Sequence, residues 1–139
     1  MIAFVEWSDE YKTGNRDIDH EHWGLFALVN DLADKVEMGA ADASIAVTIE
    51  ALVGYVEAHF EREEEIMRKA GYPALETHLA AHRRLESSVE FFKTYYDDTP
   101  EKFPYQDFLD FLKAWLTSHI MKEDMAYVPY LKDDVTLSK

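Results

Sequence analysis

Cysteine is absent from the 139-residue chain, and this absence excludes several kinds of chemistry. A chain without thiols forms no disulfide, no thiolate metal site and no iron–sulfur cluster, and it offers no cysteine nucleophile. Any metal ion that the protein binds must therefore be held by nitrogen and oxygen ligands.

Basic residues are scarce as well. The chain has 14 lysines and arginines against 28 aspartates and glutamates, which gives a formal net charge of -14. Such a charge repels nucleic-acid phosphates and anionic lipid head groups, and the sequence contains no basic patch that would offset the repulsion. We therefore expect neither nucleic acid nor membrane as a partner.

Long apolar segments are also missing. A membrane-spanning helix needs about 18 consecutive apolar residues, and no such run occurs. The first residues, MIAFVEWSDE, have neither the basic region nor the apolar stretch of a signal peptide. We expect one soluble, cytoplasmic domain over residues 1–139, because 47% hydrophobic residues are enough for a single core.

Four amphipathic segments account for most of the chain. Their apolar residues recur at helical spacing, Gly39 and Gly71 follow the first two segments, and Pro73 and Pro104 start the last two. Four such helices with short connections predict an all-α fold, an antiparallel up-down-up-down four-helix bundle. The helices are predicted at approximately residues 17–38, 42–70, 73–97 and 104–126.

Both ends of the chain are predicted to lie outside the four helices. Residues 1–16 are expected to form an N-terminal arm that packs aromatic side chains onto the bundle, namely Phe4, Trp7 and Tyr11. Asp42 or Ser44 is the expected N-cap of the second helix. Because Pro129 disfavours a continuous helix, residues 127–139 are predicted to be a C-terminal tail.

Histidines and carboxylates recur at positions that suit a metal site. His59 and Glu63 are four residues apart in HFEREEEIM, and His78 and His82 have the same spacing in HLAAH, so each pair shares one helix face. Histidines near the start of the first helix and the end of the fourth extend the set. The candidate metal ligands are His22, His59, Glu63, His78, His82, His119 and Asp124.

The positions of these residues meet a geometric condition. In an antiparallel bundle, side chains at one level lie alternately early and late along successive helices, and the candidates do so: early in the first and third, late in the second and fourth. A single histidine on an apolar face is usually a hydrogen-bonded core residue. Seven residues that satisfy this condition together indicate one buried metal site.

The ligand set indicates two metal ions rather than one. Five imidazoles, two bridging carboxylates and one bridging oxo or hydroxo group fill all but one coordination position of two octahedral ions. An open position in apolar surroundings suits a small neutral molecule such as dioxygen. Imidazole and carboxylate ligands suit iron, although zinc, copper and nickel also accept imidazole and remain alternatives.

One spacing departs from regular helix geometry. His119 and Asp124 are five residues apart, which places them about 140° out of register on an α-helix. We predict either a local i→i+5 widening between them or an Asp124 that reaches inward from the helix end.

Several neighbouring residues are assigned other roles. His20 lies two residues from His22 and is expected on the solvent side. The glutamates of the EREEE run, residues 61–65, are interpreted as a solvated helix face apart from Glu63. Tyr127 and Met67 are assigned packing roles.

Together these motifs resemble those of the hemerythrins, most closely the stand-alone bacterial members. The resemblance extends from Trp7 to about Tyr130 and rests on IDHEHWGLF, HFEREEEIM, GYP followed by HLAAH, and FLKAWLTSHIMKED. It implies a four-helix bundle with a non-haem di-iron centre that binds dioxygen reversibly.

The resemblance also implies a role for each residue. One iron would be held by His78, His82 and His119, and the other by His22 and His59, which would have the open position. Glu63 and Asp124 would bridge the two irons, together with an oxo or hydroxo group. An oxygen pocket would be lined by Leu25, Phe60, Trp115, Leu116 and Ile120.

Two positions, Glu21 and His20, depart from the usual bacterial pattern, and neither is a ligand position in the family. Glu21 stands where a glutamine commonly precedes the first ligand. We expect its charge to act on the outer side of His22 and to alter the orientation of that imidazole or the iron potential.

Three functions fit these observations. The preferred one is oxygen binding for storage, delivery or scavenging without catalysis, with an unidentified oxygen-using client protein as a further expected partner. The second is a di-iron oxidase, peroxidase or nitric-oxide-handling enzyme, although the chain lacks the ExxH pairs of ferritin-like oxygen activators. The third is an oxygen or iron sensor module, which the stand-alone length disfavours. A zinc-filled or metal-free structural bundle is the remaining alternative.

Overall fold

A computed structural model describes residues 3–131. Within this range the chain forms four α-helices, α1 (Arg16–Met38), α2 (Asp42–Ala70), α3 (Leu75–Asp98) and α4 (Tyr105–Ser118). Short 3-10 turns occupy Asp9–Tyr11 and Pro100–Lys102. After α4 the chain continues as a π-helical turn, His119–Asp124, and a 3-10 segment, Met125–Leu131.

The helices form the antiparallel up-down-up-down bundle that the sequence predicts. α1 packs against α2 and α4, and α2 packs against α3. Each helix turns its apolar face inwards, and these faces meet in one buried cluster. Its members include Phe26, Val29, Leu32, Ile49, Leu52, Val56, Tyr96, Phe108, Leu112 and Leu116.

Two glycines end the first two helices. Gly39 and Gly71 have φ angles of 68° and 71°, in the left-handed region that glycine adopts without strain. The backbone amide of Tyr72 closes the second of these ends by donating to the carbonyl of Met67 at 3.1 Å. α1 and α2 therefore end where the sequence predicts, whereas the predicted fourth helix, residues 104–126, is α-helical only to Ser118 and continues as the π-helical turn and the 3-10 segment.

The predicted starts of two helices need correction. The N-cap position of α2 is Ala41 rather than the predicted Asp42 or Ser44, and its carbonyl accepts from the amides of Ser44 and Ile45. α3 begins at Leu75 rather than at Pro73. The amide of Leu75 donates to the Tyr72 carbonyl, which places Pro73 in the turn that precedes the helix.

The N-terminal arm is held on α1 by polar and aromatic contacts. The Asn30 side chain accepts from the amide of Val5 at 2.8 Å and donates to its carbonyl at 2.9 Å. The rings of Trp7 and Tyr11 lie 5.4 Å and 5.2 Å from the ring of Phe26. The aromatic side chains thus pack onto the bundle as expected.

The predicted C-terminal tail is partly built into the fold. Tyr127 and Leu131 are buried in the 3-10 segment and form a second apolar cluster with Ile18 and Met67. Residues 132–139 of the predicted tail lie outside the described residues. This second cluster covers the end of the bundle where the histidines lie.

α2 is unusually apolar. Between residues 3 and 131, Ala43–Ala70 is the one helical stretch that is long and apolar enough to cross a membrane by length and composition, with a mean hydropathy of 1.2 in its most apolar window. Its inward residues Ile49, Leu52 and Val56 belong to the central cluster. α2 is therefore the core helix of the bundle.

Two glycines within helices differ in their surroundings. At Gly24 of α1, a Cβ atom would overlap the hydroxyl group and ring of Tyr55, which comes from α2. At Gly54 of α2, a Cβ would meet nothing within 4 Å. Gly24 thus provides the space into which Tyr55 fits, whereas Gly54 has no comparable role.

This difference predicts opposite effects for the same substitution. Gly54→Ala is expected to raise the free energy of unfolding by about 0.5–1 kcal/mol, because alanine favours the helix. Gly24→Ala is expected to lower it by about 1–3 kcal/mol, because Tyr55 must move from its packed position. Urea unfolding of both variants measures the difference, and equal stability would contradict the packing role of Gly24.

Candidate metal centre

All seven candidate ligands point into one buried space between the helices. They come from α1, from the C-terminal part of α2, from the N-terminal part of α3 and from the π-helical turn. Each is at most 5% exposed. Their ligand atoms form two groups, each with all atoms within 4.8 Å of one another: His22, His59, Glu63 and Asp124, and Glu63, His78, His82, His119 and Asp124.

The two carboxylates belong to both groups, with one oxygen on each side. Asp124 Oδ2 lies 3.0 Å from His22 Nε2, while its Oδ1 lies 3.0 Å from the Nε2 atoms of both His78 and His119. Glu63 Oε2 faces His22 at 3.5 Å, and its Oε1 faces the Nε2 atom of His82 at 3.0 Å. The carboxylates therefore lie between a pair and a trio of imidazoles.

The residues fit a metal ion because their buried ligand atoms are otherwise unsatisfied. Buried polar atoms normally have hydrogen-bond partners, since leaving them unpaired is costly. The inward atoms of this cluster have none, although they converge on one space. They are His22 Nε2, Glu63 Oε1, His78 Nε2, His82 Nε2, His119 Nε2 and both Asp124 oxygens.

The π-helical turn explains how His119 and Asp124 share this space. The turn spans His119–Asp124, so it covers the stretch where the sequence predicts an i→i+5 widening. One additional residue in the turn rotates Asp124 back onto the face of His119. The widening is therefore found where the five-residue spacing requires it.

A second layer of carboxylates contacts the outer nitrogens of three histidines. His59 Nδ1 is 2.8 Å from Glu21, His82 Nδ1 is 2.8 Å from Glu64, and His119 Nδ1 is 3.1 Å from Glu123. Such outer contacts orient metal-binding imidazoles so that Nε2 faces the metal.

Two expectations about this layer are corrected. Glu64 is 9% exposed and contacts a histidine, so the EREEE run contributes a second buried glutamate besides Glu63. Glu21 lies against His59 on α2 rather than against His22, because its side chain crosses to the neighbouring helix. His20 is exposed, as expected.

Tyr127 has a polar role that its position in the sequence did not reveal. Its hydroxyl group donates to Glu63 Oε2 at 2.7 Å, and the ring is fully buried. Burial and the nearby Glu63 carboxylate raise the pKa of Tyr127 well above its usual range, so the phenol keeps its proton. The side chain both packs and holds one carboxylate of the cluster.

Removing this hydroxyl group tests its contribution. Tyr127→Phe keeps the ring but deprives a buried carboxylate of its donor, so we expect a loss of about 1.5–3 kcal/mol in the free energy of unfolding. Tyr130→Phe is the control, because Tyr130 is 44% exposed and should change stability by less than about 0.5 kcal/mol. Equal losses in the two variants would show that the Tyr127 hydrogen bond is not stabilising.

The five residues predicted to line an oxygen pocket are buried beside the cluster, in the central apolar core. The ring of Phe60 stacks on His82 with centroids 3.7 Å apart, and Trp115 meets Phe60 edge-on at 5.8 Å. Leu25, Leu116 and Ile120 each lie within one helical turn of a histidine in the sequence. The five are Leu25, Phe60, Trp115, Leu116 and Ile120.

Open clefts lie away from the seven ligands or only at their edge. A cleft of about 740 Å³ on α2 is lined mostly by charged side chains and by none of the seven. A smaller one, of about 230 Å³, reaches the outer side of Trp115 and His119. The converging ligand atoms therefore lie inside the bundle and not in either of these clefts.

The electrostatics of the cluster favour protons on the imidazoles when no metal is bound. Burial lowers the pKa of His22 and His78, but Asp124 and Glu63 outweigh it and raise the pKa of each to about 10. The pKa of His119 is raised by the same carboxylates against the effect of burial. Burial alone would raise the pKa values of Glu63 and Asp124, yet the imidazoles lower both.

These shifts predict the pH dependence of the metal-free protein. The histidine pKa values are raised in the folded state, so their stabilising effect is complete below the unfolded value of 6.5 and is lost as the pH rises towards 10. The carboxylate pKa values are lowered, so their effect is lost in acid.

Urea unfolding of chelator-treated protein at about pH 6 and about pH 9 measures this dependence, and the midpoint should be lower at the higher pH. His20→Ala serves as a control, because this exposed histidine lies outside the cluster and its removal should preserve the difference. A midpoint that stays constant or rises between these pH values would contradict the proposed proton distribution.

A bundle with a buried set of imidazoles and carboxylates defines a non-haem metal-binding protein. Comparisons with known proteins specify the class further. The profile of the Hemerythrin HHE cation binding domain matches residues 13–131. The chain belongs to the hemerythrin family, whose members bind dioxygen at a non-haem di-iron centre.

Individual relatives are similar in sequence to this protein over most of its length. A bacteriohemerythrin of Clostridium acetobutylicum is 32% identical, covering 88% of this chain and 97% of the relative. A bacteriohemerythrin of Methylococcus capsulatus is 33% identical, covering 94% and 98%. A crystal structure of wild-type hemerythrin has 32% identity and a TM-score of 0.85, covering 93% of this chain and 98% of that one.

Proposed function

We propose that this protein binds dioxygen reversibly at a di-iron centre and serves oxygen storage, delivery or scavenging without catalytic turnover. The observation that carries the proposal is the set of seven buried side chains whose nitrogen and oxygen atoms converge on one space, six of them with an inward atom that has no hydrogen-bond partner. Family membership supports iron as the metal and dioxygen as the ligand.

The positions of the oxygen atoms support a bridging role for both carboxylates. Glu63 and Asp124 each direct one oxygen towards the pair of histidines and the other towards the trio. In this arrangement His78, His82 and His119 would hold one iron, and His22 and His59 would hold the other. The second iron then has fewer protein ligands, so we assign the open position for dioxygen to it.

Bound iron would supply the reversible electron transfer that dioxygen binding requires. The protein would contribute a dry space around that step. Leu25, Phe60, Leu116 and Ile120 are at most 2% exposed and carry no ionisable group. Excluding water and protons from this side would slow the loss of a bound reduced ligand.

Loading with ferrous iron and exposure to air tests the proposal. We expect two irons per chain and a visible charge-transfer absorption that disappears on deoxygenation and returns with air. His59→Ala should abolish the reversible absorption because it removes one of two histidines on the binding side, whereas the exposed His20→Ala should preserve it. An absorption that never reverses in the unaltered protein would contradict reversible binding.

The same preparation separates the alternative functions. Consumption of dioxygen or peroxide with a reductant, at more than one turnover per site, would favour the oxidase or peroxidase hypothesis. Zinc in place of iron on elemental analysis would favour a structural site. The cytoplasmic location, the absence of nucleic-acid and membrane partners, and the oxygen-using client remain predictions of the sequence.

A further inference from the structure

The two histidine groups differ in the charges that stand behind them. In the trio, Glu64 contacts the outer nitrogen of His82 and Glu123 contacts that of His119. In the pair, Glu21 contacts the outer nitrogen of His59, whereas His22 Nδ1 has no hydrogen-bond partner. Within residues 3–131, Glu21 is thus the carboxylate that backs the group with the proposed open position.

Glu21 is also connected to the protein surface. Its Oε1 atom faces His59 Nδ1 at 2.8 Å, and its Oε2 atom pairs with the Nε atom of Arg62. The side chain of Glu21 is 17% exposed and that of Arg62 is 57% exposed, while His59 is 2% exposed. A short chain of contacts therefore runs from solvent through Arg62 and Glu21 to a buried imidazole.

Each contact in this chain has a predictable effect on His59. An ionised carboxylate that accepts the Nδ1 proton draws that proton away from the ring and makes Nε2 a stronger donor to a metal. A stronger donor favours the ferric over the ferrous ion, because the ferric ion has the higher charge. Arg62 neutralises part of the carboxylate charge and so acts in the opposite direction.

We propose that Glu21 is a positioning residue that fixes the orientation of His59 and increases the ferric preference of the two-histidine side, and that Arg62 limits this effect. The inference rests on the proposed function for the presence of iron. The hydrogen bond between Glu21 and His59, by contrast, does not need a metal and can be measured separately.

The hydrogen bond is tested first in metal-free protein. The Nδ1 proton of His59 should give a slowly exchanging downfield proton resonance in the unaltered protein and in Glu21→Gln, whose amide oxygen still accepts. Glu21→Leu removes the acceptor, so the resonance should disappear. A resonance that persists in Glu21→Leu would overturn the positioning role, whether or not the protein binds iron.

The charge effect is tested by the midpoint potential of the iron-loaded protein. Glu21→Gln removes the charge and should raise the potential, whereas Arg62→Gln frees the carboxylate and should lower it. Second-layer substitutions typically change metal affinity by about 10–100-fold. A tenfold change in the ferric-to-ferrous affinity ratio corresponds to about 59 mV for one electron.

The two substitutions should shift the midpoint potential in opposite directions. A general loss of structure cannot explain this result, because it would shift both potentials in the same direction. The double variant should resemble Glu21→Gln, because Arg62 acts through Glu21. Glu61→Gln is the matched control, since it removes an exposed negative charge next to Arg62 in the sequence and should leave the potential unchanged. A shift in Glu61→Gln equal to that in Glu21→Gln would show that only the overall charge matters and would overturn the proposal.

The two proposals fail in different ways. Unaltered protein that takes up no iron would contradict the proposed function, while the resonance of His59 would still decide the hydrogen bond. Protein that binds dioxygen reversibly, but whose potential does not respond to Glu21 or Arg62, would contradict the present inference alone.

Discussion

Two ionised carboxylates buried among five imidazoles are the constraint around which this bundle is arranged. An isolated buried charge is costly, and neither Glu63 nor Asp124 is exposed at all. Without metal, the imidazoles compensate by retaining protons, as the raised pKa values of His22 and His78 indicate. With metal, cations would take over that compensation. The polar centre is thus stable only if all four helical segments meet at one level.

The apolar residues around the centre make this level well defined. The central cluster lies on one side and includes Leu25, Phe60 and Leu116, while the smaller cluster with Met67 and Tyr127 lies on the other. Side chains one turn before and after a ligand thus pack into different clusters. Sliding one helix along its neighbour would move an apolar residue to the polar level, so packing and ligand geometry support the same register.

The bundle and its seven inward residues could be predicted because both depend on helical periodicity. Four-residue spacings, capping glycines and the alternation of early and late positions are properties of the sequence itself. The five-residue interval from His119 to Asp124 was informative for the same reason, since a regular helix cannot satisfy it. Contacts between helices were harder to predict, because they depend on how each helix is rotated against its neighbours.

Glu21, Glu64 and Tyr127 illustrate this limit. Each lies beside a ligand or near one in sequence, but its actual partner is on another element: Glu21 contacts His59, Glu64 contacts His82 and Tyr127 contacts Glu63. The sequence placed Glu21 on the outer side of His22, Glu64 on a solvated helix face and Tyr127 in a packing role. Their partners became evident only when the helices were placed side by side.

The division of each buried carboxylate between two sets of histidines has a consequence for how such a pocket can be modified. Neither half has an inward carboxylate of its own, because Glu63 and Asp124 serve both. Exchanging either acid would disturb both halves together, which leaves little freedom for variation at these two positions. Only the imidazoles and the residues that contact them from outside belong to one half alone. Variation among such pockets should therefore be concentrated in those outer residues.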